Sequence, residues 1–223
     1  MKISPLSAVL KQISIVKKKG KVLFLTNNRN SLQLFEKLSR SGETVYLWSD
    51  VLSIRQLASL NPSVIVSYNY QHFIPQNIIT AMDGRVVNLH ISYLPWNKGS
   101  DPNFWSFIDG TPKGVTIHKV DAHLDTGDII AQREIFFDET KETFRTSYDR
   151  LHQEIQELFI ENWNSIKQNT YSPKKQCSKG SYHKHSEFEQ IQKEIPIDWD
   201  EVIISYKQKF IRKIYDRNSC GRK

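Results

Sequence analysis

From about residue 21 onward, short apolar runs alternate with stretches whose apolar residues fall three and four apart. Lys21–Thr26 (KVLFLT), Thr44–Trp48, Val64–Ser67 and Val86–His90 are short and rich in β-branched and aromatic side chains, so they read as strands. Between the first two, Leu32, Leu34, Phe35 and Leu38 predict a helix ending near Gly42. Ile54, Leu57 and Leu60 predict a short helix stopped by Asn61-Pro62, and Ile74-Pro75 opens another. Strands alternating with helices imply a mostly parallel sheet covered on both faces, and the strands are apolar throughout, as double burial requires. Sites in such sheets form beyond the carboxyl ends of the strands, where Asn88 and His90 fall.

Past His90 the chain enters a loop with Pro95, Gly99 and Pro102, and Phe104–Ile108 reads as a short apolar helix. Val115–Val120 and Ile129–Phe137 read as strands around a loop carrying Asp121, His123 and Asp125. Thr140 to about Gln168 is a long amphipathic helix with Leu151, Ile155, Leu158, Phe159 and Trp163 on one face, broken at Ser172-Pro173. A polar tail follows, with a last helix expected over Asp200–Tyr215. Ahead of the first strand, Leu6, Val9, Leu10 and Ile13 have helical spacing.

Composition narrows the class. The 223 residues are 39% hydrophobic, enough for a sizeable core, and carry a net charge of +7. The basic excess gathers in Lys17–Lys19 and in Lys207, Lys209, Arg212, Lys213, Arg217, Arg222 and Lys223. Such ends suit RNA, a membrane surface or an anionic small substrate, and equally a solvated, solubilising face. Cys177 and Cys220 make no CxxC, no signal peptide stands at the N-terminus and no apolar run approaches bilayer length, so a cytoplasmic protein without membrane contact is expected. There is no P-loop, GxGxxG or GxSxG. His183 and His185, or His118 and His123, lack the partners of a zinc site, so no metal is expected.

Asn88 and His90 are two apart on a strand and point to one face. An amide and an imidazole beside a carboxylate are the parts needed to move an acyl group onto an amine. Asn88 can donate to a tetrahedral oxyanion, His90 can carry protons near neutral pH, and Asp125 can orient His90. A strand histidine alone reads better as a core residue bonded to a backbone carbonyl; the surrounding segments NLHISYLPWNKGSDPNFW and GVTIHKVDAHLDTGDIIAQ carry the catalytic reading.

Those segments resemble the formyltransferases that use 10-formyltetrahydrofolate. The Asn-x-His, Leu-Pro, Gly and aspartate-loop pattern of that family is matched by Asn88, His90, Leu94, Pro95, Gly99 and Asp125 in LDTGDII. The resemblance covers about residues 21–168 and implies a Rossmann-like α/β catalytic domain with a small C-terminal extension. It extends to SYNYQHFIP, which implies a folate pocket from Gln71, His72, Phe73 and Ile74 with Val120, Asp121 and Leu124; His118 is expected to be structural. The expected organisation is an N-terminal segment 1–20, a catalytic domain 21–168 and an extension 169–223 that is a possible homodimer interface.

The resemblance divides by formyl acceptor. Thr26–Ser31 contains no glycine, unlike the phosphate loop of the purine-pathway branch, and about 55 residues after the long helix are too few for the barrel of the initiator-tRNA branch. NKGSDPNFW and KGSYHKHSEF look like segments of the branch that formylates nucleotide-linked deoxyamino sugars, as in O-antigen and lipopolysaccharide synthesis. Lys98, Asn103, Trp105, Tyr182, His183 and Lys184 are the acceptor contacts this implies, with Tyr182 or Trp105 stacking on the base or sugar. Each has a plainer reading as a packing or solvent-exposed residue. A catalytically silent ligand-binding protein is a second reading; an RNA-binding protein is a third, opposed by the lack of interleaved surface aromatics.

Overall fold

The computed structural model describes residues 12–13, 20–176 and 179–220. Leu6, Val9 and Leu10, the lysines Lys17–Lys19, Cys177, Arg222 and Lys223 lie outside the described residues. In chain order the strands are β1 (Gln12–Ile13), β2 (Lys21–Leu25), β3 (Thr44–Trp48), β4 (Val64–Tyr68), β5 (Val86–His90), β6 (Lys98–Gly99), β7 (Gly114–Lys119), β8 (Ile129–Glu134) and β9 (Tyr182–His183). The α-helices are α1 (Leu32–Arg40), α2 (Ile54–Leu60), α3 (Gln76–Ala81), α4 (Pro102–Ile108), α5 (Phe144–Gln168), α6 (His185–Glu194) and α7 (Ile203–Cys220).

The main sheet has the order β1-β3-β2-β4-β5-β7-β8. The pairings β3–β2, β2–β4 and β4–β5 are parallel, while β1–β3 and β5–β7 are antiparallel. The fold is therefore α/β with a mostly parallel sheet. Ile13 departs from the helical spacing expected of it and pairs with Val45 at the sheet edge.

The chain forms two compact units. Of the described residues, one holds those up to His90 with Thr116–Gln132 and 155–176; the other holds Ile91–Val115, Arg133–Glu154 and those from 179 onward. In the first unit, alternation along β2 separates two cores. Leu23 and Leu25 join Leu57 and Leu60 of α2 and Ile78 and Ile79 of α3 in one cluster. Phe24 points the other way and meets Phe35 of α1, ring centroids 6.1 Å apart. Local signals set the helix ends. Ser53 and Gln56 form a reciprocal capping box at the start of α2. Asn61, left-handed at φ 46°, ends it just before Pro62.

In the second unit, Phe104, Trp105 and Phe107 of α4 and Phe144 at the start of α5 share a core with Ile203 and Tyr206 of α7. Phe188 and Ile191 of α6 pack against it. No pattern had predicted α6: it buries no residue fully, and its apolar positions are too sparse to stand out from the polar tail. Within this unit the segment around Gly180 and the loop after Leu94 are zipped together. Lys98 and Gly99 pair in parallel with Tyr182 and His183. Asn97 Nδ2 donates to Thr111 Oγ1 at 2.8 Å and its backbone N–H to Ser181 Oγ at 2.8 Å. Gly180 (φ 63°) passes so close to the Pro95 carbonyl that a Cβ would lie 1.7 Å from its oxygen.

Candidate active site

Strand register assembles the first unit's polar cluster. Asn88 lies level with Ser67 on one neighbouring strand and with His118 on the other. The three side chains therefore form a row across one face of the sheet. The loop from Val120 to Asp128 closes over this row and brings in Asp125, whose φ is 53°. Asp121 shapes the loop from within: its Oδ1 accepts from Thr126 Oγ1 at 2.7 Å and from the His123 backbone N–H at 3.1 Å. Gly127 lies so close to Lys119 that a Cβ would be 1.8 Å from its carbonyl oxygen.

The side chains meet at Asp125, which is 6% exposed. Asn88 Nδ2 donates to Asp125 Oδ1 at 3.2 Å. His118 Nε2 lies 3.3 Å from the same oxygen, and His90 Nδ1 lies 3.8 Å from Oδ2. At 3.8 Å the His90 contact is electrostatic, not a hydrogen bond. His118 Nδ1 donates to the Lys119 carbonyl at 2.7 Å, because a carbonyl can only accept. This fixes the ring so that Nε2 faces Asn88 Nδ2 at 3.1 Å. His118 thus belongs to the polar cluster itself.

An open hollow of about 490 Å³ fronts this cluster. Asn88, His118 and Asp125 line it, with Ser67, Tyr70, His72, Phe73, Ile74, Val120, Asp121, His123 and Leu124. Phe73 and Leu124 are 62% and 51% exposed, so two apolar side chains stand open at its rim. Tyr70 donates to the Asp50 carbonyl, and burial pushes its phenol up to about 12, so it is a fixed donor and not a base. His90 does not line the hollow but stands beside Asp125. Gln71, expected in the pocket, also does not line it: its backbone N–H donates to Asn27 Oδ1 at 3.0 Å. Ser67 and Tyr70, from SYNYQHFIP, and His123, from the Val120–Asp125 stretch, line the hollow as well. Gln176, whose Nε2 reaches the carbonyls of Asp125 and Gly127, was not foreseen.

In the second unit the residues expected to touch an acceptor separate into groups. Trp105 and His183 stack on one another, centroids 4.0 Å apart at 7°, and His183 Nε2 lies 2.8 Å from Asp109 Oδ2. Both border a groove of about 900 Å³ with Ile191, Phe210 and Lys213. Lys98 Nζ donates to the Lys179 carbonyl at 3.0 Å, Tyr182 is exposed, and Lys184 stands just ahead of α6 with its N–H donating to Glu187 Oε2. Asn103 departs from the expectation. It is buried, its Nδ2 donates to Phe144 O and its Oδ1 accepts from Ser147 Oγ, so its amide ties α4 to α5. Among the described residues no three His, Cys, Asp or Glu side chains gather as metal ligands do. No described helix is long and apolar enough to cross a membrane.

An amide, two imidazoles and a carboxylate thus gather beyond the carboxyl end of β5, where open α/β sheets form their sites. The formyl transferase family profile matches residues 12–162, and the chain belongs to that family. It is similar to dTDP-4-amino-4,6-dideoxyglucose formyltransferase of Mycobacterium tuberculosis, 34% identical over 130 residues that make up 58% of this chain and 54% of that protein. It is also similar to methionyl-tRNA formyltransferase of Caldanaerobacter subterraneus, 33% identical over 55% of this chain and 40% of that protein. The chain thus spans about half the length or less of these curated relatives. Among solved structures, the formyltransferase PseJ from Anoxybacillus kamchatkensis, in complex with UDP-4,6-dideoxy-4-formamido-L-AltNAc and tetrahydrofolate, is 40% identical with a TM-score of 0.74. That match covers 84% of this chain and 97% of PseJ.

Proposed function

We propose that this protein transfers the formyl group of 10-formyltetrahydrofolate to the 4-amino group of a nucleotide-linked 4,6-dideoxy sugar. The observation that carries the reading is the convergence of Asn88, His90 and His118 on one buried carboxylate, Asp125, at the edge of an open hollow. The similarity to PseJ and to the mycobacterial dTDP-sugar enzyme supports the choice of acceptor.

The acceptor amine attacks the formyl carbon, a C–N bond forms and a tetrahedral oxyanion develops. Asn88 donates an N–H to that oxygen. In the unliganded cluster both its amide hydrogens already face acceptors, His118 Nε2 and Asp125 Oδ1, so one is exchanged when the donor binds. The proton lost by the amine is taken up at the His90–Asp125 pair. Breakage of the bond to the folate nitrogen returns a proton to that nitrogen, with His90 as donor. The folate lies in the hollow against His72, Phe73, Ile74, Val120 and Leu124, whose exposed apolar rim gains by burying an aromatic ring. Lys98, Tyr182 and Lys184 are the proposed acceptor contacts. The product serves a surface glycan, and the working form is a homodimer.

The test is turnover with 10-formyltetrahydrofolate and a panel of UDP- and dTDP-linked amino sugars, with mass spectrometry reading the addition of one formyl group. A formylated product from a 4-amino sugar is expected. Absence of product from every sugar, with product from glycinamide ribonucleotide or methionyl-tRNA, overturns the acceptor assignment.

A further inference from the structure

We propose that Gln176 is a positioning residue for this reaction, its side-chain amide clamping the loop that presents Asp125. The proposal rests on the reading of Asp125 given above; the role of Gln176 is what it adds.

Gln176 Nε2 lies 2.9 Å from the Asp125 carbonyl and 2.9 Å from the Gly127 carbonyl. One amide nitrogen carries two hydrogens, so it can satisfy both carbonyls at once. The flipped amide would set its oxygen against two carbonyl oxygens, which fixes which end faces the loop. Its Oε1 is buried and, among the described residues, has no hydrogen-bond partner. The orientation is therefore set by the two donated bonds alone.

The loop needs such a clamp because Asp125 has φ 53°, a left-handed conformation that a non-glycine residue keeps only when its surroundings impose it. The bonds from Thr126 and His123 to Asp121 are ties within the loop. Gln176 is a tie from outside it, 51 positions along the chain from Asp125. Its own segment is anchored: Lys174 and Ile129 exchange two backbone hydrogen bonds of 2.8 Å, which fasten the stretch after α5 to the start of β8. Gln176 thus transmits the position of the sheet edge to the backbone on either side of Thr126. That backbone decides where the Asp125 carboxylate meets Asn88 and His90. Without the clamp, the backbone on either side of Thr126 loses its tie to the Gln176 segment, and the carboxylate shifts relative to Asn88 and His90.

The test compares wild type with Gln176→Met, which keeps the length and loses both donors, and Gln176→Lys, whose ammonium can donate to the same carbonyls. Turnover is split into kcat and acceptor KM, and hydrogen exchange is followed at amides 121–128. In Gln176→Met, kcat is expected to fall about 10- to 100-fold, the loss that a displacement near 1 Å produces. Acceptor KM should stay within about twofold, the 121–128 amides should exchange faster, and Gln176→Lys should recover most of kcat. Unchanged kcat with unchanged exchange overturns the proposal. So does a loss of kcat that accompanies a fall in melting temperature and is not recovered by lysine, since that assigns Gln176 to general stability. If the wild type formylates no acceptor, the reaction reading fails, and the exchange arm alone decides whether Gln176 holds the loop.

Discussion

Asn88 and His118 lie opposite each other on the antiparallel neighbours β5 and β7, and their side chains meet, Asn88 Nδ2 resting 3.1 Å from His118 Nε2. The contact orients the amide across the sheet face and towards Asp125. Because His118 Nδ1 is held by the Lys119 carbonyl, its Nε2 lone pair is the group that aligns Asn88. A phenylalanine at 118 would fill a similar volume but offer no acceptor. His118→Phe should therefore lower kcat while leaving folate binding near the wild-type level. Single-turnover rates and folate titration by fluorescence check this; unchanged rates would make the contact incidental.

Removal of the amide itself is the sharper case. A donor aimed at a developing oxyanion is worth about 10²–10³ in rate, or roughly 3–4 kcal/mol, and little of that appears in ground-state binding. Asn88→Ala should reduce kcat by about that factor. Its melting temperature should change little, since Asn88 borders the open hollow and is only half-buried. A drop in kcat of less than about tenfold would remove Asn88 from the oxyanion role.

Asp125 tests the carboxylate directly. Asp125→Asn preserves shape but deletes the charge that faces His90 and His118 and changes half of its acceptor oxygens to a donor. Loss of a positioned proton-transfer group typically costs about 10²–10⁴ in rate. The variant should be that much slower and no less stable than wild type, because sites that hold a polar cluster and a left-handed residue store strain. Thermal melts and steady-state rates on the same preparation decide it. A variant that is both active and less stable would make Asp125 structural.

The sequence exposed the sheet more clearly than the site. The runs at 44–48 and 86–90 are strands over the same residues, because short apolar runs stand out from the amphipathic spacing of the helices between them. Strand periodicity put Asn88 and His90 on one strand, while Asp125, a loop residue, was legible only through the motif. Gln176 was not, because no local pattern links a residue beyond α5 to a loop between two strands. For Asn103 a motif marked the residue, but only the structure shows that it is buried and that its amide makes two internal hydrogen bonds.

Beyond the site, Glu43 carries an unusual load. It is 4% exposed, and its carboxylate accepts from Lys167 Nζ at 2.7 and 2.8 Å and from Trp163 Nε1 at 3.2 Å. These bonds join the end of α5 to the turn after α1. Removing one member of a buried pair strands the other charge, typically at about 3–5 kcal/mol. Lys167→Met should destabilise by about 3 kcal/mol, the low end, since Trp163 still donates. Glu43→Gln, which removes the buried charge, should cost less. Urea unfolding of both variants checks the order; equal costs would mean the charge pair contributes nothing particular.

His152 gives the fold a pH dependence of definite sign. Burial lowers its pKa from 6.5 to about 4, so the folded chain keeps the ring neutral where the unfolded chain protonates it. Tyr148 packs against it edge-on with ring centroids 4.2 Å apart, in keeping with an uncharged imidazole. A group depressed in the folded state binds more protons when unfolded, so its effect on stability falls as pH falls. The loss begins near 6.5, the unfolded value, and is complete near 4, the folded one. Across that window the shift corresponds to about 3 kcal/mol. Urea midpoints of wild type should therefore drop between pH 7.5 and 5. His152→Phe removes the titrating group and should flatten that part of the profile, whatever its effect on absolute stability. A profile equally steep in the variant would place the acid sensitivity elsewhere in the chain.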